Sequence, residues 1–484
     1  MASSSVAAGI GRYGKLWGRG HETFPKNLRR ILSVKGTGAT KYLQGLVTSD
    51  LLSDPESPQK EAIPSSSSTS SPSSTSSPSE GEDVSTVKFN KHVRSTCFLD
   101  QRGRILTDAI LWQVTPEEGG DEYLLDVPGD CADSLLEHLK KFKLRRTKGV
   151  EIEDKSDDMS IHCVYGTLNA DGSPPGYLAA MDPRHPSLGM RVLSLGGTST
   201  SSTHEQRNET FSQLMSKFFP ASDGTYNVIR KLAGVAEGQE INSKTALECN
   251  QELLNAVSFH KGCYLGQELT ARTQFTGVIR KRIMPVMLVD TKTEVPRPWV
   301  LANMIQDLGV ENLQTDDLFG TGIGVDIEGG VPPPLPKMSA PGAGGIVAML
   351  QGTMLPQSKE NTDDEKDESK QFLSADNEEE IKKIQIESDQ LVEEVSNYAI
   401  PGANIVDKKD GKTIGKVISA PASGTTIVLA QMRLDRVGLL KGDKWNKTNR
   451  VWVGDGTKDL RFLPFIPLWW PEIDTANGKR KKED

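Results

Sequence analysis

The chain has 484 residues, a net charge of −8 at pH 7 and a mean hydropathy of −0.43, and 36% of its residues are hydrophobic. This length allows two or three domains, and the polar residues are concentrated in a few segments, which leaves enough apolar sequence elsewhere for buried cores. The acidic balance excludes a general nucleic-acid binder, because such proteins neutralise phosphates with a basic surface. No run of about eighteen apolar residues occurs, so we predict no membrane-spanning helix.

The chain begins with a segment typical of a mitochondrial presequence, which we place at residues 1–24. Its first twenty residues contain Arg12, Lys15, Arg19, three serines and no acid. The alternative is an ordinary N-terminal extension without a targeting role. Further along we predict solvated polar segments at 55–82 (rich in Ser, Thr and Pro), 195–208, 356–394 (acidic) and 477–484 (a charged, mobile tail).

Between these segments the hydrophobic pattern predicts an α+β fold with largely antiparallel sheets, because successive strands are joined by tight turns. Strands are predicted at 29–36, 95–103, 105–114, 121–127, 150–154 and 161–168, and helices at 40–51, 132–144 and 209–219. Near the C-terminus, residues 405–420 and 425–435 alternate apolar and polar side chains around glycine turns. This alternation predicts a small β-barrel or sandwich.

The five cysteines, at positions 97, 131, 163, 249 and 263, are scattered without any C-x-x-C pair. This pattern excludes a complete cysteine-rich zinc site at standard spacing and a secreted disulfide framework, and it favours a reducing compartment. The sequence also has no H-E-x-x-H, P-loop or G-x-S-x-G motif, so metalloprotease, NTPase and hydrolase functions lack support.

The segment KGCYLGQELTAR, residues 261–272, contains the most informative motif of the chain. The glycine before Cys263 lets a ligand approach the backbone closely, and Lys261 or a protonated His260 would favour the thiolate. The alternative is a tight turn in which the small thiol only packs. The unbroken run of polar residues and glycines favours a thiol that reacts or binds a ligand.

The octet from Lys261 to Glu268 resembles the K-G-C-Y-x-G-Q-E signature of the folate-binding YgfZ proteins, which are relatives of the glycine-cleavage T-protein, an aminomethyltransferase. The eukaryotic mitochondrial branch of this family assists iron–sulfur cluster assembly. Segments 34–51, 98–111, 234–241, 247–272 and 411–419 add to the resemblance, in the order of the family. The resemblance implies a T-protein-like α+β fold of two lobes with largely antiparallel sheets and a small C-terminal β-barrel.

Pattern and resemblance together predict the domain organisation. The predicted units are a presequence (1–24), a first α+β lobe (25–112 plus 221–290), a second α+β lobe (113–220), an irregular extension (291–355), an acidic insertion (356–394), a C-terminal β-barrel (395–470) and a charged tail (471–484).

In the family, the cysteine that matches Cys263 is the prominent functional residue. The resemblance implies that Cys263 supplies a metal ligand, or a redox contact, to an iron–sulfur cluster shared with an A-type carrier protein. We expect Tyr264 and Gln267 to orient the loop, and Glu268 or Arg272 to fix it through a charge-assisted bond. The residues expected to support Cys263 are Lys261, Gly262, Tyr264, Gly266, Gln267, Glu268 and Arg272.

The resemblance to T-proteins also makes Asp108 a candidate folate-binding residue, because the carboxylate at this place lies in the folate cavity and helps one-carbon transfer. The alternative is an aspartate that closes a turn or caps nearby backbone. The chain lacks one of the two adjacent acids of the transferases, since Thr107 precedes Asp108, and it lacks their glutamate within residues 230–234. These losses argue against aminomethyl transfer and leave tetrahydrofolate binding open. The basic cluster 280–282 either receives a folate tail or an acidic partner, or is a solvated strand end.

The first hypothesis is therefore a non-enzymatic assembly factor of the mitochondrial matrix. It would serve [4Fe–4S] clients such as aconitase and lipoyl synthase, with Cys263 as the cluster contact and a folate-type cavity. The alternative is a tetrahydrofolate-dependent one-carbon transferase, in which Asp108 would be the essential residue. A third hypothesis is a folate-binding module without a role in cluster transfer.

Overall fold

The computed structural model describes residues 20–53, 92–114, 121–143, 147, 149–165, 167–169, 177–185, 188–194, 219–220, 224–290 and 314–317, and parts of the chain between 393 and 480. The predicted polar segments 55–82 and 195–208 lie outside these residues, as do most of 291–355 and of 356–394. Among the described residues, no helix is long and apolar enough to span a membrane.

The helices and strands are numbered in chain order. They are β1 (Gly20–Phe24), β2 (Arg29–Gly36), α1 (Ala39–Gln44), β3 (Val93–Leu99), β4 (Ile105–Val114), β5 (Asp121–Pro128), α2 (Ala132–Phe142), β6 (Glu151–Asp154), β7 (Ser160–Tyr165), β8 (Thr167–Asn169), β9 (Tyr177–Met181), β10 (Met190–Ser194), β11 (Phe219–Pro220), α3 (Thr225–Leu232), α4 (Gln267–Phe275), β12 (Lys281–Asp290), β13 (Gln314–Asp317), β14 (Asn404–Asp407), β15 (Thr413–Val417), β16 (Ile427–Arg433), β17 (Trp452–Gly454) and β18 (Leu460–Pro464).

Two five-stranded sheets form the main body of the fold. The first has the order β3-β4-β5-β2-β6 and is antiparallel throughout, and the second has the order β11-β1-β7-β10-β9 and is antiparallel except at β11. Because side chains alternate across a strand, Ala109 and Leu111 of β4 pack against α1 and α2, while Ile110 packs against the second sheet. The first sheet therefore lies between a helical layer and the second sheet, which confirms the predicted α+β class.

Six strands form a closed ring beside the two sheets, in the order β12-β16-β15-β14-β17-β18. Helix α3 lies between the ring and the sheets. Its Tyr226 and Ile229 belong to the core of the sheets, and its Val228 and Leu232 belong to the core of the ring. Residues three or four apart lie on one face of a helix, so α3 joins both cores through two faces.

The sheets cross the predicted lobe boundaries. Strands β5 and β6 pair with β2 in the first sheet, although the sequence placed them in a separate second lobe. Strand β12, assigned to the first lobe, pairs with β16 and β18 of the ring. Residues 20–24, assigned to the presequence, form β1 and pair with β7. Strand pairing joins residues distant in the chain, and a pattern read along the chain does not reveal it.

Three further predictions differ from the structure. Helix α1 ends at Gln44 rather than at residue 51, because the chain turns after Gly45 and Thr48 Oγ1 donates a hydrogen bond to Ala256 O at 2.5 Å. Most of the predicted helix 209–219 lies outside the described residues, and Phe219 itself belongs to β11. The tail predicted to be mobile is held at Asn477, whose carbonyl oxygen accepts a hydrogen bond from Ile279 N at 2.8 Å.

Candidate functional site

The loop 258–266 carries Cys263 and leads into helix α4. Both ends of the loop are tied to the segment that follows α1. Ser258 N donates to Thr48 O at 3.0 Å, and Leu265 N donates to Gly45 O at 2.9 Å. The loop covers the core cluster that includes Leu99 of β3, so it is supported from below by packed apolar side chains.

Lys261 fixes the loop through its ammonium group. Its Nζ donates to the carbonyl oxygens of Gln44 (2.9 Å), Val47 (2.6 Å) and Ser49 (2.8 Å), and it lies 4.9 Å from the centre of the Tyr264 ring. Carbonyl groups at and beyond a helix C-terminus lack intrahelical partners, and a lysine can satisfy them. Burial lowers the pKa of Lys261 to about 8. The ammonium thus binds backbone carbonyl groups, and among the described residues no hydrogen bond joins it to the Cys263 thiol.

Two glycines allow the loop to dock on the turn between β3 and β4. Gly266 and Gly103 both have φ of +78°. A Cβ atom on Gly266 would lie 2.5 Å from Asp100 O, and one on Gly103 would lie 2.6 Å from Gly266 O. Both positions therefore require glycine for backbone conformation and for space. The docking joins two separate segments of the resemblance, 98–111 and 247–272.

Tyr264 and Gln267 stabilise the start of α4. Tyr264 N donates to Gln267 Oε1 at 3.0 Å, so the glutamine side chain accepts a bond from the loop backbone. The Tyr264 ring packs against the core cluster under the loop, and burial raises the pKa of its hydroxyl to about 12. Tyr264 therefore acts on the loop as a packed, neutral side chain.

Cys263 and Gly262 differ from the rest of the loop because they face solvent. Cys263 is exposed, whereas the other four cysteines are buried. A Cβ atom on Gly262 would meet nothing within 4 Å, and its φ lies outside the left-handed region. Nothing inside the described fold requires a glycine at this position. The pair presents an open stretch of backbone and a free thiol to solvent.

The charged residues near Cys263 do not fix the loop as the sequence predicted. Glu268 and Arg272 are exposed, and among the described residues neither of their side chains makes an ion pair or a hydrogen bond. His260 is also exposed, and only its backbone N donates within the loop, to Ser258 Oγ at 3.4 Å. The anchoring comes instead from Lys261 and from backbone bonds.

Asp108 lies in a different place, on the face of β4 that packs towards the second sheet. It is 3% exposed, and its Oδ1 accepts a hydrogen bond from Gly238 N at 2.9 Å. Its Oδ2 lies 3.8 Å from Nη1 of Arg184. Burial, and then the nearby Glu237, raise the pKa of Asp108 to about 6. In the described part of the chain, no hydrogen bond or ion pair joins Asp108 to the loop of Cys263.

Asp108 belongs to a buried network of charges. Arg29 Nε donates to Asp126 Oδ1 at 2.6 Å, and Arg29 Nη1 lies 3.2 Å from Glu237 Oε2. Burial acts to raise the pKa of Glu237, but several guanidinium groups lower it well below its ordinary value. The members are four arginines and five acids: Arg29, Arg184, Arg191, Arg230, Asp108, Asp126, Asp182, Glu237 and Glu240. Such a network fits the alternative in which Asp108 is structural.

The sequence reasoning missed this network and the docking of Gly103 on Gly266. The only local signal was charge at strand positions that alternate with apolar residues, as at Asp108 and Asp126. The sequence analysis also treated residues 280–282 as one basic cluster. In the structure Arg282 is fully buried and donates to Gly478 O at 3.1 and 3.0 Å. The other two members of the cluster, Arg280 and Lys281, are exposed.

The described residues contain no group of three or more His, Cys, Asp or Glu side chains placed to hold a metal ion. Cys263 therefore belongs to no such group in the described part of the chain. A complete site for an iron–sulfur cluster would need further ligands from outside the described residues.

Comparison with known proteins gives the following relatives. No family model matches the chain. The "Iron-sulfur cluster assembly factor IBA57 homolog, mitochondrial" of Pyricularia oryzae is 32% identical over 267 residues, which are 54% of this chain and 56% of that protein. The protein of the same name from Aspergillus oryzae is 30% identical over 334 residues, 61% of this chain and 66% of that protein. The one from Dictyostelium discoideum is 28% identical over 293 residues, 54% of this chain and 62% of that protein.

The chain thus spans less than two thirds of the length of these curated relatives. Among solved structures, it is similar to a glycine cleavage system aminomethyltransferase T from Bartonella henselae, with a TM-score of 0.48 and 10% identity over 98% of this chain and 90% of that chain. The curated relatives confirm the resemblance that the octet predicted.

Proposed function

We propose that this chain, which resembles the mitochondrial iron–sulfur cluster assembly factors over more than half its length, is itself such a factor and acts in the mitochondrial matrix. In this proposal Cys263 supplies one thiolate ligand, or a redox contact, to a cluster shared with a second protein. The observation that carries the proposal is the position of Cys263, the single exposed cysteine, on a loop tied down on both sides of it.

The proposal of a shared cluster follows from ligand number. Iron–sulfur clusters are commonly held by four cysteine thiolates, and the other four cysteines of this chain are buried. Burial raises the pKa of Cys97, Cys131 and Cys249, which disfavours the thiolate form that binds iron. The remaining ligands would come from a partner, and we propose an A-type carrier protein. The cluster is then cargo that passes between proteins.

The anchoring of the loop supports the proposal through preorganisation. Because Lys261 and Leu265 already bind the backbone near α1, little conformational entropy is lost when a partner meets the thiol. The open space around Gly262 lets the partner's backbone or a bulky cluster approach Cys263 without a clash. As clients we propose [4Fe–4S] enzymes of the aconitase and lipoyl synthase kind.

The experiment that tests the proposal is anaerobic mixing of the full chain with an A-type carrier loaded with a cluster. The absorption spectrum of the cluster, and the reactivation of apo-aconitase, would be followed over time. We expect Cys263→Ser to abolish both the spectral change and the reactivation, while the buried-site control Cys131→Ser retains them. Full reactivation by Cys263→Ser would show that the proposal is wrong.

Folate chemistry is the second part of the proposal, and it has weaker support from the contacts of Asp108. A one-carbon transferase needs this carboxylate to meet its substrate, but its oxygens face Gly238 and Arg184. We therefore favour the assembly role. Calorimetric titration with tetrahydrofolate, for the natural chain and Asp108→Asn, tests folate binding. Product formed from an aminomethylated substrate and lost in Asp108→Asn would establish the transferase alternative.

A further inference from the structure

Helix α4, which follows the loop of Cys263, exposes a large aromatic side chain at its C-terminal end. Phe275, at the end of α4, is 70% exposed, and Val278, just after it, is 47% exposed. Glu268, Arg272 and Phe275 are spaced by four and three residues, so they lie on one solvent-facing side of α4. Exposed apolar side chains that lie together mark interaction sites more often than single ones do, so the neighbours of Phe275 matter.

The apolar area continues towards Cys263. The rings of Phe275 and Phe259 lie 6.3 Å apart, edge to face. Phe259 precedes Cys263 by four residues in the anchored loop, and α4 follows that loop directly. The ring contact therefore joins the exposed end of α4 to the loop that carries Cys263.

Three exposed cations lie in α4 and in the segment that follows it. Arg272, Arg280 and Lys281 are exposed, and among the described residues no carboxylate pairs with them. Glu268 is the single acid on the exposed side of α4, at the end nearest the loop. The chain as a whole has a net charge of −8, so unpaired cations here run against its overall balance. We call the set Phe259, Arg272, Phe275, Val278, Arg280 and Lys281 the Phe275 surface.

We propose that the Phe275 surface is the docking site for the protein that shares a cluster with Cys263, and that this partner presents an acidic face with an apolar centre. The inference rests on the proposed function and specifies its partner. A cluster held by thiolates carries negative charge, and the acidic partner surface would add to it. Arg272, Arg280 and Lys281 supply the complementary field, which steers association, while Phe275 supplies a desolvated anchor.

The test measures binding of a recombinant A-type carrier, without its cluster, to the full chain by calorimetry. We expect Phe275→Ser, and the double variant Arg272→Glu with Lys281→Glu, each to raise Kd by at least about 10-fold. The binding of the natural chain should weaken as salt increases. The matched controls are Ile400→Ser, at a side chain that is 56% exposed, and Lys140→Glu, at an exposed position of α2. Both should leave Kd within about 2-fold.

The outcomes separate this inference from the proposed function. Cys263→Ser should keep the affinity for the apo carrier and lose cluster transfer. If Cys263→Ser transfers clusters normally while Phe275→Ser loses affinity, the cluster role of Cys263 is wrong and the docking surface stands. Unchanged affinity in both variants of the Phe275 surface overturns the docking site. A cross-link from Lys281 to residues 356–392 of the same chain, at saturating carrier, would also overturn it.

Discussion

The glycines of the octet allow a sharp test of which positions build the loop and which serve a partner. Gly266→Ala and Gly262→Ala make the same chemical change at two sites four residues apart. At Gly266, alanine would have φ of +78°, and its Cβ would lie 2.5 Å from Asp100 O and 3.0 Å from Leu99 Cβ. At Gly262 the added methyl group would contact nothing.

The expected magnitudes follow from these surroundings. An alanine in the left-handed region costs roughly 1–2 kcal/mol, and overpacking against backbone that cannot move aside adds about 1–3 kcal/mol. We therefore expect Gly266→Ala to lower the free energy of unfolding by about 2–5 kcal/mol. Gly262→Ala should change it by less than about 0.5 kcal/mol, or raise it slightly by restricting the unfolded chain.

Urea denaturation followed by tryptophan fluorescence measures both variants, with native-state thiol labelling as a second probe. Gly266→Ala should expose buried cysteines to a maleimide, and Gly262→Ala should not. If both variants unfold at the same urea concentration as the natural chain, Gly266 does not support the loop in the way described. If Gly262→Ala is stable yet binds the carrier normally, the open space around it has no role in partner approach.

Three further outcomes follow from the contacts. Native protein treated with iodoacetamide should carry one label among its five cysteines, and Cys263→Ser should carry none. Mass spectrometry measures the labels, and labelling of a second cysteine would contradict the burial described. Arg29→Met should lower the free energy of unfolding by about 3–5 kcal/mol, because it leaves buried carboxylates unpaired. The exposed control Lys26→Met should change the free energy of unfolding little. A small effect at Arg29 would refute the network. The pKa of Asp108 is raised to about 6 in the native state. Between roughly pH 4 and 6 the native state therefore binds more protons at this carboxyl than the unfolded chain does. The contribution of Asp108 to stability falls as pH rises through that range. The stability of Asp108→Asn relative to the natural chain should therefore increase from pH 4 to pH 7, and an opposite slope in denaturation midpoints would show that the sign is wrong.

Local sequence patterns were enough to predict an element where the segment buries one or both of its faces. Strand β4 runs from Ile105 to Val114, as its apolar run predicted, and α2 differs by two residues from the helix predicted at 132–144. Patterns failed where a distant group decides the structure. The helix predicted to residue 51 stops at Gln44 because later groups bind distant partners: Thr48 Oγ1 donates to Ala256 O, and Val47 O accepts from Lys261 Nζ.

The candidate site shows the same division. The octet singled out Cys263 from composition and resemblance, and the structure shows that thiol exposed. The partner of Lys261 could not be predicted, since its acceptors lie more than 200 residues earlier in the chain. The contact of Gly266 with Gly103 was equally hidden, because a glycine motif does not say which backbone approaches it. The salt bridge between Arg29 and Glu237 joins residues whose local patterns give no sign of each other.

The contacts of residues 477–480 imply that a chain shortened at its C-terminus loses stability. Arg282 is fully buried and gives two hydrogen bonds to Gly478 O, while Lys479 Nζ donates to Gln274 O at 2.6 Å, at the end of α4. A stop codon shortly before Asn477 would remove one acceptor of the Arg282 guanidinium, Gly478 O, and the hydrogen bond of Lys479 at the end of α4. We expect a chain shortened in this way to be less stable and less abundant, even though every residue of the KGCYLGQE octet is intact.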